Sequence, residues 1–94
     1  MTKDPVFDAL EATNDEATFL RFVQVLLVER REAESLPQTA DGFQGEWANQ
    51  SIAEFLGAAQ AWALSSGFGT RPGPKTGNPW RLFAGFLYAG RGYE

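Results

Sequence analysis

The chain has 94 residues, a formal net charge of −4, eight Phe, three Trp and two Tyr, and neither histidine nor cysteine. That length bounds it to a single domain with one small core. The two missing residue types remove the commonest acid/base group, the thiol nucleophile, the usual transition-metal ligands and any disulfide framework. Thirteen aromatic side chains, the sum of those three counts, are more than a disordered acidic chain carries, so the sequence is expected to fold.

In chain order, Pro5 at a first helical position, with Phe7 and Leu10 behind it, predicts a short opening helix. Thr13 and Glu16 have capping-box spacing, and Asp15 and Glu16 suit the positive end of a helix dipole. Phe19, Phe22, Val23, Leu26 and Leu27 then recur at helical spacing, which predicts a helix over 15–33 stopped by Pro37 and Gly42. Residues 35–48 read as a loop anchored by Phe43 and Trp47.

Ser51 and Glu54 form a second capping box, with Asn49 as the competing cap, and open a helix over 51–65. Its predicted inner face is Ile52, Phe55, Leu56, Ala59, Trp62 and Ala63, and Gly67 ends it. Residues 67–79 hold four glycines and three prolines, a loop composition. Asn78 and Pro79 cap and start a third helix over 79–91, which is apolar almost all round and so expected to be central. The predicted architecture is all-α: a small single-domain bundle of three main helices plus a short N-terminal one.

Charge is unevenly spread. Residues 1–66 hold four basic and eleven acidic side chains, a balance of −7, whereas residues 67–94 hold four basic side chains and one acidic, a balance of +3. An acidic front half argues against nucleic acid and for a cationic protein partner. No apolar run reaches transmembrane length and no secretory signal is recognisable, so a cytoplasmic protein away from membranes is expected.

Few motifs carry chemistry. The stretch from Gly69 to Thr76 looks like a phosphate-binding loop, but Pro74 removes a backbone donor that such a cradle needs, and no buried strand precedes it. The carboxylate pairs Asp15/Glu16 and Glu29/Glu32 fall at a helix start and on a polar helix end, where solvated, ordinary acids are the rule. Asp41 and Glu46 share a loop without the alternating calcium-loop pattern. Ser51, Ser65 and Ser66 lack a histidine to activate them. Trp62 and Trp80 sit among Phe, Leu and Ala at helical spacing and read as core, while Trp47, just ahead of a helix, either staples its loop or meets a partner.

Trp47, Asn49, Ile52, Phe55, Leu56, Ala58, Ala59 and Trp62, then Ser66, Gly67, Phe68 and Gly69, then Asn78, Pro79, Trp80, Phe83, Ala84, Phe86, Leu87, Tyr88, Gly90, Tyr93 and Glu94 carry a resemblance. From about residue 15 onward the chain resembles a family of small bacterial proteins catalogued as domain of unknown function 7660. The resemblance implies a shared scaffold and brings no activity, cofactor or catalytic residue. The acidic single-domain build is also similar in type to bacterial immunity proteins.

The function expected is therefore a non-enzymatic protein-binding module, immunity- or antitoxin-like, without cofactor or metal. Its candidate partner-binding residues are Glu29, Glu32 and Glu34 on an acidic face that also holds Asp15, and Arg71 and Lys75 on the loop beside Trp47. The alternative is a small-ligand or nucleotide-binding regulator that uses loop 67–79 as a lid, and a homodimer is a third reading.

Overall fold

A computed structural model describes residues 4–66 and 77–93. Among these residues there are four helices: α1 (Pro5–Glu11), α2 (Glu16–Ala33), α3 (Ile52–Ser66) and α4 (Pro79–Gly92). Among the described residues there is no strand, only an isolated antiparallel bridge between Gln44 and Trp47. The predicted all-α bundle with its short first helix is what the chain forms. The predicted loop 67–79 lies outside the described residues as far as residue 76.

Local chemistry sets most helix starts. Asp4 caps α1 by accepting from the amides of Val6 and Phe7 at 3.0 and 3.2 Å, with Pro5 in the position that needs no donor. Asn78 does the same for α4, accepting from the amides of Trp80 and Arg81 ahead of Pro79. The box at α3 forms as predicted: the Ser51 hydroxyl accepts from the Glu54 amide at 3.0 Å, and the Glu54 carboxylate accepts from the amides of Gln50 and Ser51. Asn49 has another task, donating to the carbonyls of Gly90 and Tyr93 at 3.0 and 3.2 Å.

The start of α2 differs from expectation. Its cap is Asp15, which accepts from the Thr18 amide at 2.8 Å while the Thr18 hydroxyl takes the Asp15 amide at 3.0 Å. Thr13 lies too early for that role. It is fully buried, and its hydroxyl donates to the Ala9 carbonyl at 2.8 Å. α2 ends at Ala33, ahead of Pro37. Gly45 near the end of the following loop has φ +58°, where a Cβ would also crowd Ala33 at 3.1 Å.

The core gathers Val6, Phe22, Leu26, Ala33, Trp47 and Ala84, with Phe19, Phe55, Leu87 and Tyr88 packed half-buried around it. Trp47 and Phe55 stack at 6.0 Å, and Phe19 meets Trp80 at 5.5 Å. α4 is central as predicted: it touches α1, α2 and α3, whereas α3 packs against no other helix.

That single neighbour narrows the buried stripe of α3 to Ala58, Ala59 and Ala63, with Phe55 and Trp62 half-buried. Two members of the predicted inner face are instead turned to solvent, Ile52 at 80% exposure and Leu56 at 53%. A helix buried by one partner hides a stripe narrower than its apolar arc.

Candidate functional site

Two neighbouring features are built where α1, α4 and the loop after α2 converge. The first is polar. Arg91, near the end of α4, has a side chain only 10% exposed, and its guanidinium donates to both oxygens of Glu29 at 3.1 Å and to Asp4 at 3.2 Å. The Tyr88 hydroxyl donates to Asp4 at 3.1 Å and accepts from Arg91 at 3.1 Å, and the guanidinium lies 4.7 Å from the centre of the Tyr88 ring. The indole nitrogen of Trp47 donates to Glu29 at 3.1 Å. One cation thus ties the cap of α1, the C-terminal part of α2 and, through Glu29, the anchor of the connecting loop to α4.

Electrostatics follow from this packing. Burial pushes the Asp4 carboxyl upward, but the Phe7 amide, the Arg91 charge and the Tyr88 hydroxyl together hold it below its ordinary 3.8. For Arg91 burial acts downward, and the bonds and charge of Glu29, with Asp4, outweigh it, so the guanidinium holds its proton more tightly than usual. Burial, with Asp4 beside it, raises the Tyr88 phenol. No described buried side-chain polar atom lacks a hydrogen-bond partner.

The second feature is a cleft of about 550 Å³ between α1 and α4, closed at its sides by the connecting loop and by Trp62 of α3. Five rings line it, Phe7, Phe43, Trp62, Tyr88 and Tyr93, together with the carboxylate-bearing Glu46 and one edge of Arg91. Phe7 and Tyr88 meet at 5.9 Å with their planes tilted by 56°. The Tyr93 hydroxyl shares a hydrogen bond of 2.7 Å with Ser65, fixing the ring at the α3 side. The Trp62 ring lies over Gly85 of α4, where a Cβ would stand 3.5 Å from it, an ordinary contact.

The candidate residues named from sequence are scattered by the fold. Glu29 is engaged by Arg91, and Trp47, 6% exposed, is a core ring with the Arg30 guanidinium over it at 5.1 Å. Glu34 is exposed but paired with Arg30 at 3.0 Å, and Asp15 is engaged in its cap. Of that face Glu32 keeps an exposed carboxylate, at the rim of a groove of about 360 Å³ between α1 and α2. The acidic face is thus largely neutralised from within. Arg71 and Lys75 lie outside the described residues.

Arg91 and Tyr88 escaped sequence reasoning, because their partners lie up to 87 positions away. The available signal was a pair of arginines, Arg81 and Arg91, in a segment otherwise apolar: whichever is buried must find carboxylates. Glu46 and Tyr93 had no comparable signal.

Among the described residues no group of three or more acids forms a metal site, and no helix is long and apolar enough to cross a membrane. Comparisons with protein-family models, with curated proteins and with solved structures find no match.

Proposed function

We propose that this protein is a non-enzymatic cytoplasmic module that binds another protein, in the manner of immunity and antitoxin-like inhibitors. The observation that carries the reading is the outer row of α3. Ile52, Leu56 and Leu64, 80%, 53% and 63% exposed, follow one i, i+4 ridge completed by Gln60. Large aliphatic side chains aligned on a helix with one helical neighbour among the described residues make a strip that a partner's apolar surface can cover. The sole charge on α3, Glu54, is occupied by its cap, so the strip itself is neutral. The net charge of −4 supplies long-range attraction for a basic partner without cost at the contact.

The test is affinity capture from the cells that make the protein, run in parallel with the wild-type chain and with Ile52→Asp and Leu56→Asp. A partner retained by wild type and lost by both variants, with circular dichroism unchanged, supports the reading. Equal recovery by all three removes α3 as the surface. Light scattering on the isolated chain separates the remaining case: a dimer that both variants dissolve makes the partner a second copy.

A small-ligand reading keeps one specific support, the aromatic cleft between α1 and α4.

A further inference from the structure

The cleft has a composition that selects one class of ligand. Its rings, Phe7, Phe43, Trp62, Tyr88 and Tyr93, are none of them fully buried, and Glu46 is exposed at the same opening. Aromatic faces carry negative quadrupole charge and attract cations, most strongly ammonium and guanidinium groups that shed water easily.

The positive charge already present is not free to serve an anion. Arg91, the cation among the described lining residues, is already balanced by Glu29 and Asp4 behind it, which leaves Glu46 as the lining carboxylate. An anionic ligand would meet Glu46 and a guanidinium already engaged by two carboxylates. A neutral apolar one would leave the Glu46 carboxylate in water and gain nothing from it. A cation on an apolar stem satisfies both the rings and the carboxylate.

The fold also uses this chemistry itself, stacking Arg91 on Tyr88 at 4.7 Å and Arg30 on Trp47 at 5.1 Å. About 550 Å³ is room for a side-chain-sized group and is within the usual range for small-ligand clefts.

We infer that the cleft lined by these five rings and Glu46 is a binding site for an organic cation, an alkylammonium or alkylguanidinium group carried on an apolar stem. The inference goes beyond the α3 surface and needs no protein partner, so either can fail alone.

The test titrates the full chain with choline and ethylguanidinium, and with 3,3-dimethylbutanol as the uncharged isostere of choline, following backbone amide resonances. A short arginine-containing peptide forms a second arm. Saturable shifts confined to Gly85, Tyr88, Ala89 and Gly92, with the cation favoured over the alcohol by about tenfold, are expected. Glu46→Gln, an exposed substitution that leaves the melting temperature in place, should remove most of that preference. Phe43→Ala should weaken every cation without restoring the alcohol. Saturation by choline or ethylguanidinium places the source among free amines, and saturation by the peptide alone places it on a protein's basic side chain. Equal binding of choline and the alcohol, or no saturable shift with any probe, overturns the site.

Discussion

Around Arg91, groups from residues 4, 29, 47 and 88 are locked together by hydrogen bonds of 3.1–3.2 Å. Along α3, three large aliphatic side chains stand in water with one helix behind them. The first region spends its chemistry inward and leaves little for a partner, although it contains the charges that a sequence reading would offer to one. The second withholds its best packing groups from the fold. Exposure of apolar residues, and not the presence of charge, is the better guide here to which surface is available.

Four experiments press on that contrast. The largest effect is expected from Arg91→Ala, which leaves Asp4 and Glu29 facing each other without their cation. Asp4 and Glu29 keep water access, at 35% and 21% exposure, so the loss is less than for a fully buried pair, about 2–4 kcal/mol by urea unfolding, and a loss below about 1 kcal/mol would mean that the network is ornamental to stability.

Next is Gly90→Ala. The added Cβ would lie 2.8 Å from the Phe55 ring, which must then slide off Trp47, at a cost of about 1–3 kcal/mol. Gly85→Ala is its control: the nearest Trp62 atom would be 3.5 Å away, so relief of glycine's conformational freedom dominates and stability rises by up to about 1 kcal/mol. Thermal midpoints that move the same way for both would contradict the packing described.

A smaller effect concerns acid. The folded-state value of Asp4 is depressed, so its contribution is fully present above the ordinary 3.8 and is lost as pH falls below that value through the lower folded one. The carboxylates of Asp15 and Glu54, also held low by their hydrogen bonds, move in the same direction. Asp4→Asn should flatten the fall in stability across that window, and an unchanged acid slope would show that Asp4 does not contribute to it.

The smallest change in stability belongs to Ile52→Ser and Leu56→Ser, within about 0.5 kcal/mol by thermal melting. A loss of several times that size would mean that the α3 row is part of the core and not a surface.

How much of this was legible in the sequence follows the range of each interaction. Ser51 with Glu54, Asn78 with Pro79, and Pro5 act within one turn, and each marked a helix start correctly. At α2 two boxes overlapped, and Asp15 with Thr18 prevailed because Thr13 is buried against α1. The periodicity of α3 showed that a face exists but not that one neighbour would cover it, so Ile52 and Leu56 were placed on the wrong side. The Arg91 cluster and the aromatic cleft depend on residues brought together from distant positions, for which periodicity and spacing carry no information. Of the two readings open for Trp47, the loop-stapling one matches its 6% exposure, and the Arg91 partner of Glu29 lies 62 positions away, beyond the reach of spacing.

Asp4 has a double employment. The same carboxylate that starts α1 also receives Arg91 in the last turn of α4, and the amide of Ala48 reaches the Arg91 carbonyl from the intervening loop. Terminal turns ordinarily unravel one at a time, but here releasing either releases both. Deuterium uptake at Val6, Ala48 and Tyr93 should accordingly advance at a common rate, as one latch opening, rather than as separate frayed ends.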